Sequence, residues 1–179
     1  LVIANRTQAG AAALAQRLSG LRPGRVSAIA ERELPAHARG IDLVINATLK
    51  GQGGIRQAPG GRWTCLEPYS ALGPASPAAL PETPGHEDAF AEAWYRQSLH
   101  DIRRNHEASG QLCARLPRTT VCYDIIYAPL ESTFLRHARW SGHPTLNGRG
   151  MNVAQAVEGG LTIVTPDPAI LQYPVRTLW

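Results

Sequence analysis

Apolar runs and helical stripes alternate along the first fifty residues. Leu1-Val2-Ile3-Ala4 is a short apolar run that ends in the polar tip Asn5-Arg6-Thr7, the pattern of a buried strand. Ala11, Leu14, Ala15 and Leu18 then recur at helical spacing, with Thr7 placed as an N-cap and Gly20 and Pro23 as stops. Residues 25–29 form a weaker strand candidate. Residues 31–39 hold Pro35 inside an otherwise helical pattern, which predicts a loop or one or two turns. Residues 41–48 are apolar until the tip Asn46-Ala47-Thr48, the clearest strand of this half. Strand, helix, strand, helix, strand is the pattern that predicts an α/β domain with a doubly wound parallel sheet.

From Gly51 the pattern dissolves. Gly53-Gly54, Gly60-Gly61 and a series of prolines from Pro68 to Pro84 predict irregular chain anchored by Trp63 and Tyr69. Residues 87–108 then predict a helix with a partial apolar stripe of Ala89, Ala93, Leu99 and Ile102, with Trp94 and Tyr95 beside it. Residues 121–127, VCYDIIY, are β-branched and aromatic around one charge, which suits a strand buried on both faces and ended by Pro129. A helix over 131–141 with Gly142 at its C-terminus follows. The Asn147-Gly148-Arg149-Gly150 turn leads into a second helix carrying Met151 and Gln155 on one side. The stretch from Gly159 to Trp179 reads as helix fading into prolines, packed back through Leu171 and Trp179.

Composition narrows the function. The 179 residues are 44% hydrophobic and 18% charged, enough for one sizeable core. The net charge of +4 comes from scattered arginines, with Lys50 the sole lysine and no basic run, which argues against nucleic-acid binding. Three cysteines without CxxC spacing (Cys65, Cys113, Cys122) suit a reduced, cytoplasmic compartment, and Cys122 reads as a core residue. No histidine pairs at metal-ligand spacing with another ligand type, so no metal site is expected. No membrane span or signal peptide is read in the chain. Its first residues fall inside a strand pattern, so it reads as a piece of a longer protein.

In open parallel sheets ligands bind outside the carboxyl ends of the strands, and both polar tips lie there. Arg6 occupies the first tip with no acid near it in the sequence, the arrangement that accommodates an adenosine 2′-phosphate and so favours NADP over NAD. Asp124, inside its strand, is expected to satisfy local donors rather than to act as a catalytic base.

The run Tyr-Asp-Ile-Ile-Tyr-Ala-Pro-Leu-Glu-Ser at 123–132, with Asn-Gly-Arg-Gly-Met-Asn-Val-Ala-Gln-Ala at 147–156, resembles the C-terminal segment of shikimate dehydrogenases. Ala4-Asn5-Arg6-Thr7 and Ile45-Asn46-Ala47-Thr48 agree with that family in the same order. The likeness covers roughly residues 1–60 and 119–179. It implies an incomplete Rossmann-like, doubly wound sheet: one partial NADP-binding domain over 1–179, an irregular and helical insertion at 52–118, and C-terminal helices at 149–179. It also implies NADPH-dependent reduction of 3-dehydroshikimate to shikimate, a step of chorismate and aromatic amino acid biosynthesis. An NAD-dependent quinate/shikimate dehydrogenase and a non-catalytic ligand-binding protein of the same fold are the alternatives.

By resemblance, Asn5, Arg6 and Thr7 hold the adenosine 2′-phosphate end, and Asn46, Ala47 and Thr48 run along the dinucleotide. Gly148 and Met151 line the nicotinamide, while Tyr127 and Gln155 bind the substrate. Many members carry another arginine where this chain has Gly10, and the family crosses from the Asn-Ala-Thr loop to the Tyr-Asp strand in a much shorter span. Arg149 and Asn152 stand where leucines are usual. The resemblance places the glycine-rich turn and a proton-transferring Lys/Asp pair upstream of Leu1. The piece alone is therefore expected to lack activity, needing its N-terminal half as partner.

Overall fold

A computed structural model describes residues 1–20, 24–57, 61, 63–79 and 87–164, with side chains in the last range described for 92–159. Pro23, the prolines at 81 and 84, and the fading segment beyond residue 164 lie outside the described residues.

The first unit is β1 (Val2–Asn5), α1 (Gln8–Ser19) and β2 (Ser27–Ala30), with β1 and β2 parallel and Val2 paired to Ser27. Small residues set this packing, because Ala11 and Ala15 are the buried residues of α1 and let the helix lie close. Leu14, expected on the same stripe, is 42% exposed. Thr7 is the N-cap residue, but its side chain makes no capping bond. After β2 a short 3-10 turn (Glu31–Glu33) leads into α2 (Leu34–His37), followed by a second 3-10 turn (Ala38–Gly40). The first turn is fastened by the Glu33 carboxylate accepting from the Ala30 backbone N–H at 2.8 Å. The expected one or two turns are thus present, with Pro35 in the first turn of α2, where its missing N–H costs nothing.

The second sheet runs β3 (Leu43–Asn46), β6 (Val121–Asp124), β7 (Thr145–Leu146), all parallel. Val44, Cys122 and Thr145 share one register row, whereas Ile45, Tyr123 and Leu146 share the next and point the other way. The first face meets the main core, where Cys122, Phe134, Ala138 and Leu112 pack together. On the second face Leu43, Ile45 and Leu146 are each more than half exposed. β6 is therefore not buried on both faces among the described residues: Cys122 and Asp124 are buried and Val121 and Tyr123 only partly. The parallel α/β architecture stands, laid out as a two-stranded and a three-stranded parallel sheet.

Between β3 and β6 lies the segment that the pattern left irregular. It holds an antiparallel hairpin, β4 (Ile55–Gln57) and β5 (Trp63–Cys65), and the 29-residue helix α3 (Glu87–Arg115). The helix runs past the expected end at 108, since Gly110 is tolerated inside it and Pro117 lies just beyond its end. Its buried residues, among those described, are Trp94, Ser98, Ile102, Asn105, Ser109, Leu112 and Cys113. Three polar residues among them hid this face from an apolar search, and each is hydrogen-bonded. Ser98 Oγ accepts from the Ala78 N–H at 3.2 Å. Asn105 accepts from Ser70 N–H at 2.8 Å and donates to the Ser70 and Pro74 carbonyls, both at 3.0 Å. Ser109 Oγ bonds Ser70 Oγ at 2.6 Å and His137 Nδ1 at 2.9 Å. Tyr69 anchors a second small core with Trp94 and Ile102, whereas Trp63, the other expected anchor, is 51% exposed.

α4 (Thr133–Trp140) is capped by Ser132, whose Oγ accepts from Leu135 N–H at 3.4 Å, and the chain leaves it through Gly142 at φ +82°. That left-handed conformation is the one for which glycine is suited. α5 (Arg149–Val164) follows the Asn-Gly turn.

Candidate functional site

The two polar strand tips meet at one cavity of about 330 Å³, the lower end of the range for small-molecule sites. Asn5 and Arg6 arrive from β1, Thr48 and Lys50 from the loop after β3, Glu31 from the end of β2, and Arg56 from β4. Apolar walls come from Leu34, Leu49, Leu66 and Ala71.

At the first tip Asn5 Oδ1 accepts the Thr7 N–H at 3.4 Å, an Asx turn that sets the direction of the chain into α1. Arg6 lines this cavity and also a neighbouring one bounded by Pro35, Leu72 and Ala108, and it makes no ion pair among the described residues. Glu31, distant from Arg6 in sequence, lines the same two cavities, so the absence of a nearby acid holds along the chain but not in space. Lys50 Nζ forms an ion pair with Glu31 and also donates to the Gly73 carbonyl at 2.7 Å. Both side chains of that pair are mostly buried, at 14% and 17% exposure.

At the second tip Asn46 faces inward. Its Nδ2 donates to the Lys50 carbonyl at 3.1 Å and to Asp124 Oδ1 at 3.0 Å, and its Oδ1 accepts from the Thr48 N–H and hydroxyl at 2.9 and 2.8 Å. Every polar atom of the side chain is used to shape the 46–50 loop. Asp124 holds the other side of this junction: it accepts from Asn46 and from the Ile126 N–H at 3.0 Å, and from the Ser132 hydroxyl. Burial raises its pKa, and the bonds from Ser132, Ile126 and Asn46 oppose that rise. Asp124 thus accepts from one backbone and two side-chain donors.

The remaining candidates stand apart from this cavity. Ala47 is exposed at the second tip. Gly148 is buried because a Cβ there would lie 1.9 Å from the Ile125 carbonyl oxygen, so its close approach is to its own chain. Met151 Sδ accepts from the Tyr123 hydroxyl at 3.3 Å, a contact between β6 and α5 that local spacing does not reveal. Tyr127 lies beyond the end of β6 and is 46% exposed; Gln155 is exposed on α5. Neither side chain makes a hydrogen bond within the described residues. Lys50, Glu31 and Arg56 are the cavity residues that the strand-tip argument passed over. Only Lys50, immediately after the second tip, carried a positional signal.

Burial pushes the thiols of Cys113 and Cys122 up to about 11 and about 12, which marks them as core residues. His137 is pushed down to about 4 by burial, with His106 and Arg136 adding to the effect. Among the described residues no three His, Cys, Asp or Glu side chains come together as a metal site, and no helix is long and apolar enough to cross a membrane.

Parallel strands whose polar tips gather at one cavity make this a Rossmann-like α/β fold. A solved structure of quinate dehydrogenase from Corynebacterium glutamicum in complex with NAD shares that fold, with TM-score 0.53 and 20% identity over 92% of this chain and 40% of that one. Shikimate dehydrogenases (NADP(+)) of Streptococcus pneumoniae strains Hungary19A-6 and R6 are each 51% identical over 43 residues, which is 24% of this chain and 15% of the relative. The resemblance to the shikimate dehydrogenase family therefore stands. No protein-family model matches the chain.

Proposed function

We propose that this chain is the nucleotide-binding portion of a shikimate dehydrogenase-like oxidoreductase that reduces 3-dehydroshikimate to shikimate with NADPH. The observation that carries the reading is Arg6, without an ion-pair partner among the described residues, at the tip of β1 in a cavity shared with Thr48. The donor set fits the adenosine 2′-phosphate end: a guanidinium forms charge-assisted bonds to phosphate oxygens, and the apolar walls suit a base. Asn5 orients the tip, and Asn46 acts as a positioning residue that holds Thr48 and Ala47 in place. Gly148 and Met151 are assigned to the nicotinamide side, and Tyr127 and Gln155 to the substrate, on the strength of the motifs. Bound nicotinamide supplies the hydride chemistry. No proton-transfer residue is assigned within this chain.

Glu31 favours the second reading, an NAD-dependent quinate/shikimate dehydrogenase, because an acid near the adenosine ribose suits a free 2′-hydroxyl. Its pairing with Lys50 offsets that preference by neutralising the carboxylate. Arg6→Ala in the intact protein decides between them. NADPH should bind about ten- to a hundredfold more weakly, equivalent to roughly 1.5–3 kcal/mol, while NADH changes little. Equal losses for the two cofactors would remove the NADP assignment.

A further inference from the structure

The cavity at the β1 tip has a wall that the motifs do not supply. Arg56 stands on β4, in the long segment between β3 and β6, and lines the same cavity as Arg6. Its Nη2 donates to the Gly53 carbonyl at 3.3 Å, which aims the guanidinium, while its Nε–H is buried without an acceptor among the described residues. A buried charged donor left unsatisfied is unfavourable until an acceptor arrives. Glu31, the one acid lining the cavity among the described residues, is already engaged by Lys50. The two arginines therefore leave the cavity positive beside apolar walls, the chemistry that receives an anion carried on a flat apolar group.

We propose that Arg56 is a second phosphate-holding residue of this site, so that the segment between β3 and β6 is part of the nucleotide-binding surface. The proposal rests on the NADP reading and assigns Arg56 to the same 2′-phosphate as Arg6.

The test uses the intact protein and two probes, adenosine 2′,5′-bisphosphate and 5′-AMP, titrated by calorimetry. Wild type should bind the bisphosphate more tightly. Arg56→Ala should weaken the bisphosphate about ten- to a hundredfold and leave 5′-AMP within about twofold, as should Arg6→Ala. Arg56→Lys, which keeps the charge without the planar fork, should fall between. If Arg56→Ala binds the bisphosphate like wild type while Arg6→Ala does not, the Arg56 proposal fails and the NADP reading survives. Equal weakening of both probes by Arg56→Ala would make Arg56 a wall residue only and overturn the proposal. Equal binding of the two probes by wild type would remove the NADP reading and the proposal with it. Should Arg56→Ala fail to fold by near-ultraviolet circular dichroism, Arg56→Gln is judged by the same criteria.

Discussion

Replacing Asp124 with alanine should destabilise the protein by about 3 kcal/mol, and the number follows from what the carboxylate holds. The Ile126 N–H bonds Asp124 at 3.0 Å and would be stranded in the interior, a loss of roughly 1–3 kcal/mol. Asn46 keeps its bond to the Lys50 carbonyl but loses the one to Asp124, and the Ser132 hydroxyl loses its acceptor. These two partial losses add about 0.5–1.5 kcal/mol each. Relief of carboxylate burial, visible as the raised pKa, subtracts from the sum. Asp124→Asn keeps one acceptor oxygen for Asn46 and Ile126 and should cost only about 1 kcal/mol.

The pH dependence separates the two variants further. A carboxyl whose folded pKa lies above its unfolded value near 3.8 contributes stability at the acid end and loses it as pH rises through the folded value. Wild type minus Asp124→Asn should therefore fall with rising pH across that interval and then level off. Urea unfolding of the intact protein, followed by fluorescence from pH 3 to 8, measures both effects. An alanine variant within about 0.5 kcal/mol of wild type at neutral pH would show that the junction between β3, β6 and α4 does not depend on this carboxylate.

Two further outcomes are expected. His137 has its pKa lowered to about 4, so it binds a proton in the unfolded chain before the folded one. Its contribution is present above pH 6.5 and should be lost as pH falls toward 4, on the order of 3 kcal/mol, with His137→Gln removing that slope in a melting series. Gly148→Ala places a Cβ 1.9 Å from the Ile125 oxygen and should cost about 3 kcal/mol in urea unfolding, whereas Gly150→Ala, with open space around it inside α5, should stabilise by up to about 1 kcal/mol.

The strands with a continuous apolar run were legible in the sequence because such a run needs little else to declare itself. β1, β3 and β6 are of that kind, and so is the link from Arg6 to Thr48 through one cavity. β7 escaped notice because two residues carry no periodicity. The hairpin of β4 and β5 was hidden in glycine- and proline-rich chain, where hydrogen-bond register, not apolar pattern, defines the strands. The buried face of α3 was obscured by Ser98, Asn105 and Ser109, whose partners lie in the 68–78 loop and on α4 and cannot be read from local spacing. The inward turn of Asn46 was beyond reach for a similar reason: its partner Asp124 is 78 residues away.

That separation also sets the order in which the molecule can assemble. β3 and β6 are neighbours in the sheet, yet pairing Asn46 with Asp124 closes a loop of 78 residues. Doubling such a loop adds only about 0.6 kcal/mol to its closure, so its length weighs little on equilibrium stability. It weighs more on speed, since distant contacts form late. The intervening chain can condense first around Tyr69, Trp94 and Ile102, with Asn105 fastening Ser70 and Pro74 over separations of 35 and 31 residues. A segment condensed in this way would bring the ends of β3 and β6 toward each other ahead of their pairing. Substitutions in that small cluster are expected to slow assembly of the cavity at the strand tips even where they touch none of its lining.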